Sequence, residues 1–142
     1  MAPDGMQSLN IPSLRGEVSE EEWQTRVDLA CAYRLVAHYG WTHVTANHIS
    51  LRVPGDEEHF LLNPYGLLFD EVTASSLVKI DLDGNKLMES DFGINQAGYV
   101  IHSAIHGARK DITCAIHTHT EAGMAVSSQK NGLLPLNMSA IR

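Results

Sequence analysis

Two histidines one residue apart, His117 and His119, stand in the run CAIHTHTEAG (residues 114–123). In an extended strand, residues i and i+2 point to one face, about 6.5–7 Å apart at Cα. Two imidazoles spaced this way can converge on one metal ion while Thr118 points to the opposite face. A catalytic zinc takes three protein ligands, so this pair needs a third donor from elsewhere. The strand also runs into a helix, and that junction is where α/β domains usually keep their chemistry. The alternative for so short a pattern is one satisfied core histidine beside one surface histidine.

His102 and His106 are the next candidates, four residues apart on a predicted helix. They share an edge of it with Gly98 and Arg109. Such spacing can bind a metal, and a half-buried polar helix edge accounts for it equally well. His38, His43, His48 and His59 show no mutual spacing that makes a site, so surface or hydrogen-bonding roles are expected for them. Glu121 follows the pair by two residues and can act as a base, although an acidic residue in the first turn of a helix needs no such explanation. There is no GxSxG elbow, Walker loop or GxGxxG.

The elements that must position these residues follow from periodicity and punctuation. Residues 1–18 hold two prolines and two glycines without periodicity and read as a mobile arm. Ser19 with Glu22 is a capping box, and Glu20 to Glu22 suit a helix N-terminus. The helix runs to Gly40, with Trp23, Val27, Ala30, Cys31, Leu35 and Ala37 or His38 near helical spacing. HISLRVP (48–54) and HFLLNP (59–64) alternate as a hairpin around PGDEE. SLVKIDL, Asp83-Gly84-Asn85 and KLMES read as a second hairpin. Asn95 caps a helix to about Arg109 with a buried stripe of Val100, Ile101, Ala104, Ile105 and Ala108. ITCAIHTH is a strand, EAGMAVSSQKNG a helix ending at Gly132, and LLPLNMS the start of another strand. This order implies one layered α/β domain over 19–142.

Composition narrows the function. Ten Lys and Arg against 17 Asp and Glu give a formal charge of −7. That sign argues against nucleic acid and against an anionic membrane surface, both of which want a basic face. No apolar run approaches a membrane span. Cys31 and Cys114 are far apart with no CxxC, so a reducing cytoplasm is expected. Eight histidines in 142 residues are the one compositional oddity.

Taken together, NHISLRVPGDEEHFLLNPYGLLFDEVTASSLVKIDLDGN and INQAGYVIHSAIHGARKDITCAIHTHT resemble the class II aldolase/adducin family, its adducin-like bacterial branch most of all. The resemblance runs from about Glu20 to the C-terminus. It implies a three-layer α/β/α sandwich with a mainly antiparallel central sheet. It also implies a divalent metal, usually zinc, held by an HxH pair and a later histidine, with His117 and His119 matching the pair. The implied activity is an aldolase-type lyase, or related enediolate chemistry, on a small hydroxy-carbonyl or sugar-derived substrate. A homo-oligomer with sites near subunit interfaces is implied as well.

Three departures qualify that transfer. Gly98 stands 19 positions before His117, where the family's aldolases carry an acid/base residue. Their GNxSxR segment reads Asn47-His48-Ile49-Ser50-Leu51-Arg52 here. Ser50 and Arg52 persist as candidate substrate-binding residues, with Ser75 and Ser76 as a further serine pair. The later histidine has no counterpart before Arg142, so a C-terminally truncated domain is expected. The alternatives to an enzyme are a non-catalytic, adducin-head-like oligomerisation module and an inactive fragment.

Overall fold

The structure, a computed structural model, describes residues 10–55 and 58–141. The arm expected over 1–18 therefore lies partly outside the described residues, as do two residues of the PGDEE loop. Helix α1 spans Glu20–His38, and the Ser19 hydroxyl accepts the Glu22 N–H at 3.1 Å as the capping box requires. Strands β1 (His48–Arg52) and β2 (Phe60–Leu62) pair antiparallel as expected. Next come β3 (Val78–Ile80), helix α2 (Gln96–Ala108), β4 (Cys114–His117), α3 (Glu121–Ser127) and α4 (Met138–Ile141). Asn95 caps α2 by accepting from Ala97 and Gly98. The sheet order is β3-β2-β1-β4, antiparallel throughout.

Alternation along the strands assigns the two faces of the sheet. Ile49 and Leu61 pack with Leu29, Tyr33 and Val36 of α1. Phe60, Leu62, Val78 and Ile80 point the other way, toward Tyr99 of α2, and the His106 ring lies against Phe60 at 4.9 Å. The described architecture is thus helix, sheet, helix, with the core on both sides of β1 and β2. Where β1 and β2 diverge, the Tyr33 hydroxyl takes over from the ladder. It accepts the N–H groups of Ile49 and Asn63 at 3.0 and 3.1 Å and donates to the Ile49 carbonyl. No described helix is long and apolar enough to cross a membrane.

Four expectations are corrected. The buried residues of α1 are Glu22, Thr25, Arg26, Leu29, Ala30, Tyr33 and Val36, so of the expected positions Ala30 is buried while Cys31 and Leu35 are exposed. Charge alone puts Arg26 outside. In the fold its guanidinium meets Glu22 at 2.9 Å and the Leu77 carbonyl at 2.8 Å, so burial leaves it paired. In α2 the buried residues are Gly98, His102 and His106, while Val100 and Ile101 are 55% and 40% exposed. The second hairpin reduces to β3 and a single Ile80–Lys86 bridge, because the Asp81 carboxylate gathers the N–H groups of Asp83 and Asn85 into a loop. LLPLNMS forms no strand. It is irregular up to α4 and joins no described sheet.

Candidate metal centre

The site begins with strand parity. His48, Ser50 and Arg52 share the β1 face that α2 covers. The antiparallel register sets His117 of β4 directly opposite His48, with ring centroids 5.4 Å apart. His102 of α2 comes down on the same spot, 5.8 Å from the His48 ring. Two residues past His117, His119 turns back so that the two Nε2 atoms lie 3.1 Å apart. On its other side, His119 Nδ1 lies 3.3 Å from Nδ1 of His43. Six of the eight histidines therefore form one connected group: His43, His119, His117, His48, His102 and His106.

Beneath this group, the buried Ser50 hydroxyl lies 2.6 Å from His102 Nδ1 and 2.7 Å from His106 Nε2. A hydroxyl carries one proton, so it donates to one ring and accepts from the other. Arg52 donates to the carbonyls of His106 and Arg109 at 2.9 and 3.2 Å, placing its charge at the C-terminal end of α2. Ser50 and Arg52 thus hold α2 on the sheet. Ser75 and Ser76 lie elsewhere, before β3 at the opposite edge of the sheet from β4. There Ser75 accepts the Leu14 N–H, and Ser76 bonds within the turn to Thr73. The structure does not bring these two serines to His117. Glu121 is exposed in the first turn of α3.

All four histidines on the β1, β4 and α2 faces are shifted toward the neutral form. Burial first, then the neighbouring His117 and His119, takes His48 down to about 4. Burial and then His48, His106 and His117 take His102 to about 4 as well. His106 is lowered by burial and by Arg52, and His117 by burial and by His119. Neutral imidazole is the metal-binding form. Both ring nitrogens of His48, Nε2 of His102, Nδ1 of His106 and Nδ1 of His117 are buried without a hydrogen-bond partner. Such orphans are costly in a folded protein, and here they gather in one place.

Two nitrogens on one tetrahedral zinc, at bonds of about 2.0–2.1 Å, stand roughly 3.3 Å apart. The His117–His119 separation of 3.1 Å is close to that bite. The pair suits two positions of a divalent metal. Among the described residues, no group of three or more His, Cys, Asp or Glu side chains forms a ready cage. The pair opens on a cavity of about 540 Å³ between α2, β4 and α3, walled by Ile101, Ile105, Ile116 and Met124.

Gly98 has a direct structural role. A Cβ added there would stand 2.7 Å from Cδ2 and 2.9 Å from Cγ of His48. The imidazole of His48 fills the space that a side chain at 98 would need, so the two positions are sterically linked. Gly98→Ala should lower stability by about 1–2 kcal/mol, overpacking outweighing the gain in helix propensity. The reading is the denaturant midpoint, and it should be restored by adding His48→Ala. A stabilised Gly98→Ala would refute the close packing. Periodicity missed His48, whose signal was its period-2 relation to Ser50 and Arg52. His43 had no signal in the sequence.

With this geometry in place, similarity to known proteins becomes informative. Residues 27–142 match the Class II Aldolase and Adducin N-terminal domain. A protein of Pseudomonas aeruginosa assigned to aldolase class 2 is 59% identical over 90% of this chain and 49% of its own length. Alpha-adducin of Rattus norvegicus is 45% identical over 96% of this chain and 20% of its own. A crystal structure of an aldolase II superfamily protein from Pseudomonas syringae superposes with a TM-score of 0.85 at 56% identity, over 92% of this chain and 53% of that one. L-fuculose 1-phosphate aldolase from Glaciozyma antarctica gives 0.69 at 37% identity, over 77% and 45%. The chain spans about half the length of the bacterial relatives it matches. With its antiparallel sheet between helices and its HxH pair at the end of β4, this chain belongs to the class II aldolase and adducin family.

Proposed function

We propose that the protein formed by this chain is a divalent-metal-dependent aldolase-type lyase acting on a small hydroxy-carbonyl or sugar-derived molecule, with zinc as the metal. The observation that carries this reading is the His117–His119 pair, with its two Nε2 atoms 3.1 Å apart at the mouth of a cavity. These two residues would hold the metal, and a third donor would come from outside the described residues. When bound, the metal supplies a Lewis acid that polarises the substrate carbonyl. Burial keeps His117 neutral and so able to bind. Ser50 anchors His102 and His106, and with them the helix that roofs the site. Ile101 and Ile105 of α2 line the same cavity and give a bound substrate an apolar side.

Similarity to a fuculose-phosphate aldolase supports the lyase reading. A homo-oligomer in the cytoplasm belongs to the same proposal. Its supports are exposed apolar side chains such as Val100, Ile116, Leu133 and Leu136, and two free cysteines, Cys31 and Cys114. Gly98 favours a second reading, a non-catalytic module like the adducin head. It offers no side chain for the proton transfer that is worth typically 10²–10⁴-fold in such reactions.

Metal content after exhaustive dialysis separates the two. Near-stoichiometric zinc in the wild type, lost in His117→Ala/His119→Ala, is expected for the enzyme. A wild type that retains no metal would leave the non-catalytic module as the better account.

A further inference from the structure

The histidine pair has a neighbour on each side, and they differ in kind. His117 leads inward to the buried group of His48 and His102. His119 leads outward to His43, which is exposed and comes from the segment between α1 and β1, 76 residues away in sequence. The chain goes to some cost to bring His43 there. Val44, the next residue, adopts φ +48, in the left-handed region that β-branched side chains avoid. Such strain persists only where the surroundings hold it. Here the buried Asn47 side chain, one residue before β1, accepts the backbone N–H of His43.

We propose that His43 is a positioning residue for His119: it accepts the Nδ1–H of His119 and thereby fixes the tautomer whose free Nε2 lone pair faces His117. The inference rests on the metal reading above for its purpose, though not for its geometry. Both nitrogens of His119 are engaged, Nδ1 by His43 at 3.3 Å and Nε2 by His117 at 3.1 Å. A neutral imidazole has one N–H and one lone pair, so the direction of this short chain of bonds is a choice between two.

In one direction His117 Nε2–H donates to His119, and His119 Nδ1–H donates to His43. In the other, every proton sits at the opposite nitrogen. His117 Nδ1 is buried without a partner in either case. The first direction leaves it an unmet acceptor, and the second an unmet donor, which folded proteins tolerate less. The first direction therefore prevails in the metal-free chain, where the His119 Nε2 lone pair accepts from His117. A metal taking both Nε2 atoms would replace that one proton, which would move to His117 Nδ1, while His119 would keep its tautomer. Ligating histidines commonly donate their other N–H to a neighbouring acceptor, and loss of that partner costs 10–100-fold in metal affinity. Here the acceptor is the Nδ1 lone pair of His43.

Two readouts on the full chain test this, and one needs no metal. In the metal-free protein, long-range ¹⁵N–¹H spectra should show His119 protonated at Nδ1. That state should be lost in His43→Leu and kept in His43→Asn, whose side-chain oxygen stands where Nδ1 stood. A wild-type His119 protonated at Nε2, or one indifferent to His43→Leu, would overturn the proposal. For the loaded protein, Co²⁺ binding followed by its visible absorption should weaken about 10–100-fold in His43→Leu and recover in His43→Asn. Equal affinity in wild type and His43→Leu would also overturn it. A wild type that binds no Co²⁺ while His119 keeps the expected tautomer would sink the metal reading and leave the positioning geometry standing.

Discussion

Acidification of the metal-free domain from about pH 7 to about pH 4 is expected to unfold it. His48 and His102 have pKa values lowered from 6.5 to about 4, by burial first and by neighbouring histidines second. His106 and His117 are lowered in the same direction. In the unfolded chain each of these rings takes a proton near pH 6.5. Between about 6.5 and 4 the unfolded state thus binds more protons than the folded one, and stability must fall as pH falls. The contribution is fully present above the unfolded value and is lost progressively toward the folded one. A depression of this size is worth on the order of 3 kcal/mol per group. Two such groups rival the 5–15 kcal/mol that holds a typical domain together. Thermal melts from pH 7.5 to 4, with a chelator present, should show the midpoint dropping steeply below about pH 6.5. A midpoint flat down to pH 4.5 would mean that the rings are charged or solvated in the folded state.

Ser50→Ala should cost about 2–5 kcal/mol, more than a surface serine could. The hydroxyl bonds both His102 Nδ1 and His106 Nε2, and all three side chains are buried. Its removal leaves two further imidazole nitrogens unpaired in a site that already holds several, at about 1–3 kcal/mol for each orphan. Adding His102→Leu to Ser50→Ala should recover part of the loss, since an apolar replacement removes one orphan outright. Urea midpoints of the three proteins decide it. A Ser50→Ala protein as stable as wild type would show that the hydroxyl does not hold α2, and would return Ser50 to the role of a substrate-facing group.

Patterns local to one element were legible. The Ser19 and Asn95 caps and the β1–β2 hairpin depend on spacing within a few residues, whereas the strand expected through His119 ends at His117 and leaves His119 just past it. The family was legible for the same reason, because its motifs are short runs in a set order. Which side of α2 is buried was not legible. Val100, Ile101 and Ala104 form the apolar stripe by type, yet the edge carrying Gly98, His102 and His106 meets the sheet.

Periodicity gives an element a face but not a neighbour. Whether a polar face can be buried depends on what waits across the contact. For His102 and His106 that is Ser50, 52 and 56 residues away, and for Arg26 it includes a carbonyl 51 residues away. Without those partners, burial would carry the full cost of desolvation. His48 and His43 join the site on the same terms, one through the register of β1 on β4 and the other through a bond spanning 76 residues. The sequence by itself determined that two imidazoles would stand together at the end of a strand. Only the tertiary structure decided that four more would gather around them, because hydrogen-bond partners and strand register are properties of the packed chain.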